Sequence, residues 1–111
     1  TYSVADGDGS LTIQAKDPLN PPILDGQNNV QIMNINNDSN GDKTGDSNQQ
    51  ITIKGLIFQN GKGSIEGGGL YVKTGKANIQ IENCKFENNS AKYGGGVRAY
   101  SYSGKISITN N

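Results

Sequence analysis

The sequence predicts an all-β fold, a right-handed parallel β-helix in which short strands wind into a solenoid. Three observations lead there. The first is a repeat: Ile51-Thr52-Ile53-Lys54-Gly55-Leu56-Ile57-Phe58-Gln59-Asn60 returns as Ile79-Gln80-Ile81-Glu82-Asn83-Cys84-Lys85-Phe86-Glu87-Asn88, every position displaced by the same interval. The second is alternation inside the repeat, since Ile-x-Ile sets both isoleucines on one face of a strand and the polar residue between them on the other. The third is composition: 32% apolar residues, no Trp and 16 Gly are too little mass for a two-layer core. A solenoid needs less, because each coil buries only a thin strip against its neighbours.

The elements follow in chain order. Leu11-Thr12-Ile13 opens the pattern, and Val30-Gln31-Ile32 with Ile35 fits the same frame at a shorter interval, ahead of Ile51. The copies at Ile51 and Ile79 are followed by Ile106-Ser107-Ile108-Thr109-Asn110, at an interval one shorter than that from Ile51 to Ile79. The expectation is therefore one unit over positions 1–111, best defined over 51–111. It comprises about five coils of roughly 19–28 residues each, within the usual span of solenoid repeats. Three short strands make a coil. After Ile-x-Ile the chain breaks at Gly55 or Asn83, residue types that tolerate positive φ at a corner. A second strand, Leu56-x-Phe58 or Cys84-x-Phe86, turns its own face inward. The blocks Gly67-Gly68-Gly69 and Gly94-Gly95-Gly96, one repeat apart, lead into a third, Leu70-x-Val72 or Val97-x-Ala99.

The interior expected from this frame comprises Ile51, Ile53, Leu56, Phe58, Leu70, Val72, Ile79, Ile81, Cys84, Phe86, Val97, Ile106 and Ile108. Asn60 and Asn88 fall at one repeat position and are expected to stack as a side-chain amide ladder.

Charge and composition narrow the function. Ten acidic and ten basic residues balance, and the basic ones are scattered singly. A nucleic-acid binder needs a basic patch, so that class is set aside. No apolar stretch approaches the length of a transmembrane helix. His is absent and Cys84 is the single cysteine, which argues against the common zinc and His-assisted nucleophile sites. Outward positions offer Glu82, Glu87, Lys54, Lys85, Lys73 and Arg98, but the repeat forces no pair of carboxylates together. Pairing along a face, Glu82 with Lys54 and Tyr71 with Arg98, accounts for them as well as catalysis does. The chain is therefore expected to be structural rather than a self-sufficient enzyme.

The run from Cys84 to Val97, Cys84-Lys85-Phe86-Glu87-Asn88-Asn89-Ser90-Ala91-Lys92-Tyr93-Gly94-Gly95-Gly96-Val97, resembles the Phe-x-x-Asn and Gly-Gly-Ala-Ile pair of the polymorphic outer membrane protein repeats. It is similar, too, to the wider set of secreted pectin-lyase-like β-helix proteins. Gly67-Gly68-Gly69-Leu70 fits the second motif, whereas Phe58-Gln59-Asn60-Gly61 departs from the first at its fourth position. Pro21-Pro22-Ile23-Leu24-Asp25-Gly26 looks like the first coils of such proteins. The resemblance implies an extracellular or cell-surface location, with roles running from adhesins and passenger domains to polysaccharide-active enzymes. The expected function is a structural or adhesive module, with binding or processing of polysaccharide as the alternative.

Two sets of residues are candidates for ligands. Over 36–50 the strand pattern lapses into a polar loop, with oxygen side chains at alternate positions: Asp38, Asn40, Asp42, Thr44 and Asp46. Alternating donors can wrap Ca²⁺, which takes six to eight oxygens. The fit is partial, with Lys43 where an EF-hand turn wants Gly, so the expectation is no cofactor or a calcium ion. Tyr71, Arg98, Tyr100 and Tyr102 cluster near the third strand and could meet surface glycans by stacking.

The last copy ends after its first strand, at Asn111. Uncovered strand edges recruit further strands, so the expected partners are further β-helix coils or identical subunits stacked end to end. In the second case Tyr2 and Val4 of the next subunit would complete the missing second strand.

Overall fold

The computed structural model describes residues 2–5, 10–37, 50–102 and 104–109. Eleven strands and no helix occur among them. They are β1 (Tyr2–Ala5), β2 (Leu11–Gln14), β3 (Ile23–Asp25), β4 (Met33–Asn37), β5 (Gln50–Lys54), β6 (Ile57–Gln59), β7 (Leu70–Thr74), β8 (Asn78–Glu82), β9 (Lys85–Glu87), β10 (Val97–Ser101) and β11 (Ile106–Thr109).

The strands form three sheets that the chain visits in rotation. The first has the order β1-β4-β7-β10, the second β2-β5-β8-β11 and the third β3-β6-β9. Every pairing is parallel. Three parallel sheets visited one after another fit a β-helix with three strands per coil.

Register makes the interior a set of columns. In the second sheet Leu11, Ile51, Ile79 and Ile106 lie over one another, as do Ile13, Ile53, Ile81 and Ile108. In the third sheet Leu24, Phe58 and Phe86 are aligned. Met33, Leu70 and Val97 stack in the first sheet beside Ile35, Val72 and Ala99. Ile51, Ile53, Leu56, Phe58, Leu70, Val72, Ile79, Ile81 and Cys84 are buried, and Phe86 and Val97 pack against them half-buried. β-Branched residues at alternate positions suit such strands because their other face is polar and solvated.

The corners share a conformation. Gly55 and Asn83 have φ of 74° and 53°, Asn60 and Asn88 56° and 54°, and Gly67 and Gly94 57° and 61°. Each pair is one repeat position, and the left-handed backbone explains why only Gly and Asn occupy it. Asn60 and Asn88 do not form the expected amide ladder. Asn60 Nδ2 instead donates to Asp25 Oδ1 at 3.2 Å. What the two asparagines have in common is the turn itself.

Four further expectations are corrected. Val30-Gln31-Ile32 does not enter the frame of Ile51: Val30 is exposed, and Met33 and Ile35 pair with Leu70 and Val72 in the first sheet. β2 pairs directly with β5, so the described strands make three rounds and two strands of a fourth rather than about five coils. The reason is that apolar-x-apolar alternation looks the same in all three sheets. β1 belongs to the first sheet, where Tyr2 and Val4 lie opposite Met33 and Ile35, not to the third as a second strand would. Finally, Ile106 and Ile108 sit in the Ile79 and Ile81 columns but remain 43% and 49% exposed, because no described strand lies beyond β11.

Strand pairing runs to Asn37 and resumes at Gln50, so both ends of the expected 36–50 loop lie in strands. Asp38, Asn40, Asp42, Thr44 and Asp46 lie outside the described residues.

Candidate functional site

The outer face of the first sheet carries the richest chemistry. Outward positions there form two rows: Asn34, Tyr71 and Arg98 in one, Asn36, Lys73 and Tyr100 in the other. Parallel strands lie roughly 4.8 Å apart, so row members are immediate neighbours. The row holding Tyr71 and Arg98 runs into the corner that precedes β7.

At that corner stands Glu66, which sequence reasoning missed. Glu66 bridges to Tyr93 in the next round, the equivalent position one repeat on. The signal was present, because both residues directly precede a Gly-Gly-Gly block, but one copy is acidic and the other aromatic. The Glu66 carboxylate lies close enough to the Tyr71 hydroxyl to act on it electrostatically, and Arg98 Nε lies 3.7 Å from Glu66 Oε1. Burial, reinforced by that carboxylate, pushes the Tyr71 hydroxyl above its ordinary value.

Arg98 is placed over Tyr93 rather than over Tyr71, with 5.9 Å from guanidinium carbon to ring centroid. Lys92 Nζ approaches the same ring at 5.5 Å. Contacts of this kind contribute about 0.5–1 kcal/mol where water has access. Glu66, Tyr71, Tyr93 and Arg98 therefore form one connected cluster. Tyr100 is exposed two positions beyond Arg98, opposite Lys73. Tyr102 is exposed beyond the end of β10, where its N–H donates to the Thr74 carbonyl. The four expected ligand residues thus divide into a paired set, Tyr71 with Arg98, and two outlying tyrosines.

Beside Tyr71 a cavity of about 230 Å³ is bounded by Gln31, Asn34, Ser64, Ile65 and Glu66. Its wall is ordered by Gln31, whose Nε2 donates to the carbonyls of Glu66 and Gly67 at 2.7 and 2.9 Å. Gln31 Oε1 accepts from Asn34 Nδ2 at 3.2 Å. The hollow offers a phenol, an amide and a carboxylate beside the exposed Ile65, a set suited to hydrogen bonding with a polar ligand. A larger depression, about 480 Å³, adjoins Lys16, Pro18, Lys54 and Asn83 at the corner between the second and third sheets. None of the expected ligand residues lines it.

Among the described residues, no three His, Cys, Asp or Glu side chains are grouped as metal ligands. No helix there is long and apolar enough to cross a membrane. Lys54 and Glu82, opposed in register, approach to 4.0 Å. The first-sheet face thus presents polar and aromatic groups, Glu66, Tyr71, Tyr93 and Arg98 among them. The chain matches no family model, no curated protein and no solved structure.

Proposed function

We propose that this chain is part of a right-handed parallel β-helix that serves as a structural or adhesive module outside the cell or at its surface. The observation that carries the reading is the set of columns, in which residues from successive rounds stack in register through all three sheets. A filled interior of this kind yields a stiff element whose outer faces and corners are free to present contacts. The right hand follows from strand twist, which sets about 98% of parallel crossovers. The surface location rests on the resemblance of the Phe86 to Val97 run to secreted and outer-membrane repeats.

The partners in this reading are further coils or identical subunits laid end to end. The columns support it, because each parallel strand of the second sheet is extended by the next in the same register, as a further coil would be. Electron microscopy of the native particle tests the module: rods or filaments are expected, and a compact globular particle sinks the reading.

A second reading has its own support in the polar hollow by Tyr71 and the nearby exposed Tyr100 and Tyr102. On it the face binds polysaccharide. A glycan array showing binding that Tyr100→Ala removes favours this alternative, and silence on every glycan favours the scaffold. A calcium ion on Asp38, Asn40, Asp42, Thr44 and Asp46 would stabilise the folded chain. Melting should then rise in millimolar calcium and lose that rise in Asp42→Ala; an unchanged melt disposes of the ion.

A further inference from the structure

Asn60-Gly61 follows β6 at the corner that leads out of the third sheet. An Asn-Gly pair is the dipeptide most prone to deamidation, because glycine has no side chain to keep its amide nitrogen from the neighbouring carboxamide. In that reaction the Gly61 nitrogen gives its proton to hydroxide and attacks Asn60 Cγ. The Cγ–Nδ2 bond breaks, and ammonia leaves after taking a proton from water, which restores the hydroxide. Water then opens the cyclic imide at either carbonyl, giving aspartate or isoaspartate. The net change consumes one water and releases one ammonia.

Both reacting groups are engaged in the fold. Gly61 N–H donates to Asn89 Oδ1 at 2.7 Å. Asn60 Nδ2 donates to Asp25 Oδ1 at 3.2 Å. Asn89 is itself held by a second bond, from its Nδ2 to the Phe58 carbonyl at 3.0 Å. Gly61 is buried, and a Cβ there would press on the Gly68 carbonyl and lie 2.9 Å from Asn89 Oδ1. One side chain from the third round thus occupies the nucleophile of the second.

We propose that Asn60-Gly61 is a deamidation site that Asn89 keeps closed, so that conversion records every loosening of the third round from the second. The conversion is irreversible in structure as well as in chemistry. Aspartate at position 60 loses the donor to Asp25 and sets a second carboxylate against it. Isoaspartate adds a methylene to the backbone between two ladder bonds, Asn60 N–H to the Glu87 carbonyl and Asn28 N–H to the Asn60 carbonyl. The corner that opened does not reclose in register.

The test follows the tryptic peptide 55–62 by mass spectrometry and isoaspartate detection while the whole chain stands at mildly alkaline pH. Conversion in the folded chain should be slower than in urea by about tenfold or more, as local opening requires. Folded Asn89→Ala should convert several-fold faster than the wild type. Equal rates for the wild type with and without urea, or for folded Asn89→Ala and the wild type, overturn the proposal. Should Asn89→Ala fail to fold, a wild-type urea series below the unfolding midpoint decides. Conversion that rises in step with hydrogen exchange at the Gly61 amide supports the site, and conversion indifferent to that exchange refutes it.

Discussion

The Phe86 ring lies flat over that of Phe58, with centroids 5.0 Å apart and planes inclined by 8°. The two residues are opposed in register, yet their surroundings differ. Phe58 is fully buried between Leu24 and Phe86, whereas Phe86 has no described strand of the third sheet on its far side. Truncation should therefore be asymmetric. Phe58→Ala is expected to cost about 3–5 kcal/mol, the range for a buried aromatic, and Phe86→Ala clearly less. Urea unfolding of the two variants measures this, and equal losses would contradict the stacking order.

The corner shared by Gly55 and Asn83 leads to a second expectation. Gly55 has φ of 74°, and an added Cβ would meet Ala15 Cβ at 3.2 Å. Gly55→Val should lose more than the roughly 1–2 kcal/mol that a left-handed backbone costs an ordinary residue, because branching adds a contact. Gly55→Asn, which copies the residue at position 83, should lose less than Gly55→Val. Thermal melts rank the two, and the reverse order would show that the corner is set by something other than φ.

These corners also show what was readable in advance. Ile51 and Ile79 share a column because a solenoid turns one repeat length into one vertical step, so spacing converts directly into contact. Val30 lacked that support. An alternating run carries no mark of its sheet, and only pairing with Leu70 and Val72 assigns Met33 and Ile35. Ile106 has the same sequence signature as Ile79 and a different burial, because burial belongs to the neighbour and not to the residue. At the candidate site, Tyr71 and Arg98 were legible as register partners. Glu66 was not, since its repeat copy is a tyrosine. Asn89 completes the Phe-x-x-Asn motif, but its bonds to Gly61 and Phe58 need three dimensions to be seen.

Asp25 provides a pH signature. Its carboxylate accepts from the Gln27 N–H at 2.8 Å and from Gln59 and Asn60, and these bonds hold its pKa below the ordinary 3.8. A carboxylate lowered in the folded state contributes stability that is fully present above its unfolded value. That contribution is lost as pH falls through the folded value, so the window lies below 3.8. Asp17, lowered by the Leu19 N–H and the Asn20 amide, titrates in the same window. The melting temperature should fall below that pH in the wild type, and less steeply in Asp25→Asn. An unchanged acid slope in the variant would show that the three bonds do not discriminate folded from unfolded chain.

Cys84 tests whether the interior is as closed as the columns require. It takes the place of Leu56 one round on, is buried, and lies with Sγ 3.7 Å from the Ile53 carbonyl and 3.5 Å from that of Glu82. Burial pushes the thiol above its ordinary value, which suppresses the thiolate that reagents attack. Access and ionisation therefore act in the same direction, and a disulfide reagent near neutral pH should label the folded chain far more slowly than the chain in urea. Raising the pH by one unit should speed both reactions, since each waits on thiolate, yet leave folded labelling well behind because opening still limits it. Labelling of the folded chain at the unfolded rate would mean that solvent enters between the Ile53 and Ile81 strands. The column beside Cys84 would then not be a sealed core.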